Sequence, residues 1–115
     1  MSVISTAPFE AIRLYGEEAI EVHLSGELDL AAVPRLWSCL APLVEGGFEP
    51  RPHLVLDLSD LGFMDAAGFG VLMRLANRLR SMGISMSIRS PQPLVRRVMH
   101  LADVGHLLDV EPEPD

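Results

Sequence analysis

The sequence predicts a single α/β domain built on a mixed, mostly parallel sheet of about five strands. Three observations predict it. Apolar and polar residues alternate at period two around 20–25 and 84–89, and amphipathic stretches with a helical period alternate with those strands. One nearly continuous apolar run, Leu54-Val55-Leu56-Asp57-Leu58, stands between the first two helical stretches, as expected of a central strand covered on both faces. Strands alternating with helices imply right-handed crossovers and parallel pairing. A chain of 115 residues is one domain with room for one core.

Phe9 to Tyr15 and Ala19 to Ser25 are read as strands joined by a turn at Gly16-Glu17-Glu18. In the second, Ile20, Val22 and Leu24 alternate with Glu21, His23 and Ser25, the pattern of a half-buried strand. His23 falls on the polar face, and no second His or Cys stands at metal-ligand spacing from it, so it reads as a surface residue. Gly26-Glu27-Leu28-Asp29 turns the chain into a helix over about Ala32 to Val44, with Pro34 in its first turn. Val33, Leu36, Trp37, Leu40, Leu43 and Val44 form its buried stripe, and Cys39 at the stripe's edge reads as a small packing residue. Asp29 is left in the loop as a turn former. Gly46-Gly47 ends the helix, and Pro50 and Pro52 stiffen the crossing to the strand at 54–58.

The stretch Leu61 to Gly70 then leads into a helix from about Ala66 to Met82. Asp65 is placed as its N-cap, accepting the Gly68 N–H. Leu72, Leu75, Ala76, Leu79 and Met82 face inward, Arg74, Asn77, Arg78 and Arg80 outward, and Gly83 is the C-terminal stop. Gly68 and Gly70 in the first turn each cost about 1 kcal/mol relative to Ala, which suggests a close approach to the backbone there. Ile84, Met86 and Ile88 alternate with Ser85, Ser87 and Arg89 in a further strand. Ser90-Pro91 opens a third helix with Leu94, Val95, Val98, Leu101 and Ala102 as its stripe. Gly105 closes it, and Leu107 to Val110 is a last short strand. Residues 1–8 read as an N-terminal extension, 9–110 as the domain and 111–115 as an acidic, solvated tail.

The net charge is −7 and all nine basic residues are Arg. An acidic surface repels phosphate backbones, so nucleic-acid binding is not expected, and a partner with an Arg-rich or Lys-rich docking face is favoured. No apolar run reaches the roughly 18 residues of a membrane span, and Met1 to Ser5 lacks the pattern of a signal peptide. Cys39 is alone, which excludes an internal disulfide and fits a reducing compartment, the cytoplasm. There is no Gly-rich phosphate loop with a Lys, no Gly-x-Ser-x-Gly and no Cys–His pair arguable from spacing, so neither an enzyme nor a cofactor is expected. Asp57, Asp60 and Asp65 cluster near the C-terminal end of the central strand; a divalent-cation site there is the minority reading beside a loop Asp and a helix cap. The oligomeric state is read as monomer or weak dimer.

Four blocks, Gly26-Glu27-Leu28-Asp29, Leu54-Val55-Leu56-Asp57-Leu58-Ser59, Phe63 to Leu72 and Pro93-Leu94-Val95-Arg96-Arg97-Val98, resemble in order and spacing those of STAS domains, most closely the bacterial anti-sigma factor antagonists, also called anti-anti-sigma factors. The resemblance covers roughly residues 9 to 110 and implies a small sheet with helices mainly on one side. It implies binding without catalysis: an antagonist docks on an anti-sigma factor, usually of histidine-kinase-like ATPase fold, and a sigma factor is released. In that family the kinase phosphorylates a Ser or Thr directly after the Asp at the helix start. The phosphate brings about −1.5 to −2 charge to a contact surface and ends binding. Carried over, the acceptor position is Ala66, followed by Ala67, so that switch has no hydroxyl to act on.

Three readings follow: a constitutively binding antagonist, which we favour; a STAS adaptor subunit of another assembly, such as a lipid-transport ABC system or a signalling scaffold; or an original Ser exchanged for Ala. Asp29 matches the family's loop Asp, which takes part in partner recognition, and Asp65 matches the Asp of the helix start. Phe69 stands where the family presents an apolar side chain to the partner, and equally at the N4 position of a hydrophobic staple with Met64. Met73, one turn on, extends that patch or is half-buried. The resemblance thus implies a partner surface of Leu28, Asp29, Asp65, Ala66, Ala67, Gly68, Phe69 and Met73.

Overall fold

Five strands form one sheet in the computed structural model, which describes residues 9–16, 19–45, 53–102 and 109–111. In chain order the elements are β1 (Glu10–Tyr15), β2 (Ala19–Leu28), α1 (Val33–Glu45), β3 (His53–Met64), α2 (Ala66–Ser81), β4 (Met86–Arg89), α3 (Pro93–Leu101) and β5 (Asp109–Val110), with a 3-10 turn at Leu30–Ala32 before α1. The strands stand side by side in chain order; β1 is antiparallel to β2, and β2, β3, β4 and β5 are parallel. Every parallel step moves in the same direction, so right-handed crossovers bring the helices against one face. This is the mixed, mostly parallel α/β sheet that the sequence predicts.

The core lies between that face and the helices. Register puts Ile20 beside Leu54, Val22 beside Leu56 and Leu56 beside Ile88. All belong to one cluster of buried side chains with Leu36 and Leu40 of α1, Leu72, Leu75 and Leu79 of α2, and Val95 and Met99 of α3. The period-3.6 stripe of α2 is therefore buried as expected, with Arg74, Asn77, Arg78 and Arg80 exposed on its other side. Among the described residues no helix is long and apolar enough to cross a membrane.

Three sequence expectations need correction. The central strand does not stop at Leu58: β3 continues to Met64, because Gly26, Glu27 and Leu28 of β2 offer ladder partners to Leu61, Phe63 and Met64. The two strands lose register between His23 and Ser25 and again between Gly26 and Glu27, and Gly26 takes a positive φ of 87° at that irregularity. The strict alternation that marks a strand in sequence is thereby broken: Leu61 and Met64 are buried while Gly62 and Phe63 are exposed.

Second, Asp29 is a cap rather than a free loop residue; its Oδ1 accepts the Ala32 N–H at 3.1 Å and starts the 3-10 turn that runs straight into α1. Third, α3 starts at Pro93, its N1 residue, rather than after Ser90. The Gln92 side chain is occupied elsewhere, donating to the Ser59 carbonyl at 2.8 Å. The later start leaves Val95 and Met99 as the buried face, and Leu94 and Leu101, read as core, are exposed. Ser87 is buried on the helix-free face, where His53 Nε2 lies 2.9 Å from its hydroxyl and Glu111 accepts from it at 3.4 Å. Residues 1–8, the turn at Glu17-Glu18, the side chains of Leu43 and Val44, Gly46-Gly47, Pro50, Pro52, Gly105, Leu107-Leu108 and the tail beyond Glu111 lie outside the described residues.

Candidate functional site

Two capped turns lie at neighbouring strand ends. β2 ends at Leu28 and β3 at Met64, paired in register, and the Asp65 N–H donates to the Leu28 carbonyl at 3.4 Å. Asp65 has extended backbone angles, the N-cap conformation; its Oδ1 accepts the Gly68 N–H at 2.8 Å and its carbonyl accepts the Phe69 N–H at 2.9 Å. Asp29 caps the turn at the end of β2 in the same way. The C-terminal edge of a parallel sheet is where α/β proteins present their binding surfaces, and here two carboxylates and the positive end of the α2 dipole meet there.

The two glycines of the first turn differ. A Cβ on Gly68 would lie 2.2 Å from the Leu28 carbonyl oxygen and 2.9 Å from Leu28 Cγ, so the close approach inferred there is internal: α2 rests on the backbone of β2. Around Gly70 a Cβ would meet nothing within 4 Å.

Of the residues placed at the partner surface, Ala66 is exposed, and Asp29, Asp65, Ala67 and Met73 are half-buried, Met73 against the core. Leu28, Gly68 and Phe69 are buried. Phe69 and Met64 are both inside, as the staple positions require. Two apolar residues that sequence reasoning passed over flank the junction: Leu30, 71% exposed, and Phe63, 38% exposed. Leu30 was legible as an apolar residue in the loop before α1 and off its stripe. Phe63 was not, because its outward orientation depends on the broken register of β3.

Charge is segregated along the chain. Residues 66–102 hold six arginines, at 74, 78, 80, 89, 96 and 97, and no Asp or Glu. The net charge of −7 therefore does not describe the outer face of α2, which is basic beyond its first turn. The capping acids Asp29 and Asp65 stand toward the helix's N-terminal end.

The helix-free face carries a polar network. Arg89 donates to Glu21 at 2.7 Å and to Glu111 at 3.0 Å, tying β2 and the end of β5 to β4, and the bond to Glu111 is the main cause of its raised pKa. His23 Nε2 lies 3.3 Å from Glu21 Oε1. Asp57 Oδ1 accepts the Ser59 hydroxyl at 2.6 Å and the Ser59 N–H at 2.9 Å. Partial burial works toward a higher pKa for Asp57, but the Ser59 bonds, with His23 and Arg89 nearby, hold it below the usual carboxylate value. The carboxylate grouping expected from sequence is not the one the fold assembles: ligand atoms of Glu21, His23 and Asp57 lie within 4.8 Å of one another, and Asp60 and Asp65 are not in that group. Glu21 is already neutralised by Arg89.

The singly wound sheet with helices crossing one face is the fold that solved anti-sigma factor antagonists share with this chain. The chain belongs to the STAS domain family, described as "Mlab, STAS domain", which matches residues 15–109, and within it falls among the anti-sigma factor antagonists. It is 31% identical to the anti-sigma-B factor antagonist of Bacillus subtilis over 94 residues, covering 82% of this chain and 80% of that protein. It is 30% identical over 97 residues to a Mycobacterium tuberculosis protein assigned as an anti-anti-sigma factor, covering 84% of this chain and spanning 65% of that protein's length. The solved structure of an anti-sigma factor antagonist from Mycobacterium paratuberculosis shares the fold with a TM-score of 0.76, over 95% of this chain and 92% of that one, at 23% identity.

Proposed function

We propose that this protein is a cytoplasmic anti-sigma factor antagonist without catalytic activity, which binds an anti-sigma factor of histidine-kinase-like ATPase fold and so frees a sigma factor. The observation that carries the reading is the exposed Ala66 at the first position of α2, directly after the capping Asp65 and beside the half-buried Asp29. It supports a shallow contact surface at a helix N-terminus, rimmed by Leu30 and Phe63. In the family this position bears the phosphorylated hydroxyl; with Ala66 there, binding is not switched by phosphorylation at that residue.

The test is binding of the purified chain to each anti-sigma factor encoded in its own genome, with and without ATP. One of them is expected to bind, and ATP is expected not to release it. Ala66→Glu is expected to weaken binding severely with the fold intact, because an acidic residue suits the first turn of a helix and residue 66 is exposed. Ala66→Ser is expected to create an acceptor and restore ATP-dependent release. A phosphopeptide from residues 65 to 70 of the unaltered chain, or full affinity in Ala66→Glu, would overturn the reading. Capture of an ABC ATPase from detergent-solubilised membranes, with no anti-sigma factor bound, would favour the adaptor role instead.

A further inference from the structure

Ala66, Gly70, Arg74 and Arg78 follow one another at four-residue steps and form one ridge along the outer face of α2, about 18 Å long at 1.5 Å per residue. The first half of this ridge has almost no side chain, and the Cβ that Gly70 lacks would find open space. The second half carries two exposed guanidinium groups. Beside the first half stand the capping carboxylates of Asp29 and Asp65. From residue 66 to residue 102 the sequence holds no carboxylate. The ion pairs among the described residues form at His23 and Arg89 on the helix-free face, and none involves Arg74 or Arg78.

The helix dipole accounts for a cation in the last turn, as at Arg78 and Arg80. It does not account for Arg74, two turns before the end. Arg80 lies off the ridge and bonds Asn77.

We infer that the partner segment seated on α2 carries carboxylates opposite Arg74 and Arg78, so that the interface is polarised along the helix and docks in one direction only. The inference rests on the docking role proposed for this surface and specifies the partner's chemistry: a basic or apolar part against Asp29, Asp65 and Ala66, and an acidic part against the two arginines. It reverses, for this half of the surface, the basic partner face that the net charge suggests. Arginine suits the role, since its planar fork takes a carboxylate through two parallel hydrogen bonds.

The experiment measures affinity of the full chain for the anti-sigma factor that binds it, at low and high salt. The double variant Arg74→Glu/Arg78→Glu is expected to lose about tenfold or more in affinity, with slower association at low salt and a weakened or reversed salt dependence. Arg97→Glu, on α3 and off the ridge, makes the same charge change as the single variant Arg74→Glu; it is expected to bind nearly as the unaltered chain does, while Arg74→Glu alone loses affinity. Affinity that is unchanged in the double variant overturns the inference alone. An equal loss in Arg97→Glu also overturns it, because the effect is then one of overall charge. An unaltered chain that binds no anti-sigma factor overturns the docking role and this inference with it.

Discussion

The carbonyl oxygen of Leu28 lies where the Cβ of any residue other than glycine at position 68 would have to stand, at a separation of 2.2 Å. This single contact sets the first turn of α2 against the end of β2, and with it the position of Ala66 relative to Asp29. The obstructing atom is backbone, paired in the sheet and unable to turn aside.

Gly68→Ala is therefore expected to destabilise the fold by roughly 2 kcal/mol or more through forced displacement of the helix start. Gly70→Ala is expected to do the opposite, adding about 0.5–1 kcal/mol, since a helical glycine with open space around it only loses backbone entropy. Urea unfolding of the two variants beside the unaltered chain measures both. Similar changes of the same sign would contradict the internal role of Gly68.

Asp65 supplies the cap that fixes the same turn. Asp65→Ala is expected to cost about 1 kcal/mol by leaving the Gly68 N–H without its acceptor, whereas Asp65→Asn keeps an oxygen in place and costs little. Amide hydrogen exchange adds a local readout: Gly68 should exchange faster in Asp65→Ala and not in Asp65→Asn. A loss confined to residues far from the start of α2 would argue against the cap.

Asp57 couples stability to acid. Its folded pKa is depressed, so the stability it contributes is present above its unfolded value, about 3.9, and is lost as pH falls through the folded value. Ser59→Ala removes the hydroxyl bond and is expected to raise the Asp57 pKa toward the ordinary value, flattening the fall in stability below about pH 4. Carboxyl titration by NMR in both chains checks the direction. An unmoved Asp57 would leave the Ser59 N–H, His23 and Arg89 as the groups that hold it.

Cys39 is half-buried on α1, with its Sγ 3.7 Å from the Ala11 carbonyl, and burial raises its pKa, opposed in part by Arg13. Its reaction with a disulfide reagent at pH 8 is expected to be about tenfold or more slower than that of an unfolded thiol. Denaturant should abolish the difference. Arg13→Ala should slow the folded reaction further, and a faster reaction would show that the guanidinium shields the thiol rather than lowering its pKa.

Much of the fold was legible in local pattern. The alternation at Ile20-Glu21-Val22-His23-Leu24 placed β2, the stripe through Leu72, Leu75, Ala76 and Leu79 placed α2, and Asp65 with Gly68 marked where that helix begins; each is set by residues within a few positions of one another. The misread parts depend on partners distant in sequence. Leu61 to Met64 look like a loop until Gly26 to Leu28 lie alongside and complete their hydrogen bonds. Gln92 looks unremarkable until its side chain reaches Ser59, thirty-three residues away. Glu21 and His23 stand two apart on one face of β2, but Asp57 joins them only because β2 and β3 pair in parallel register.

The sequence by itself determined the order of elements, the capped start of α2 and the alanine at its first position, because propensity, capping and residue identity are local properties of the chain. Tertiary structure alone decided which side chains face outward at that start. It buried Leu28 and Phe69 and exposed Leu30 and Phe63. It also tied Gly68 to the backbone of Leu28 while leaving Gly70 open. The reason is that burial is a relation between segments: whether a side chain at a strand end meets solvent or core is set by the neighbouring strand and the helix laid across it, and a one-residue shift in their register reverses the answer.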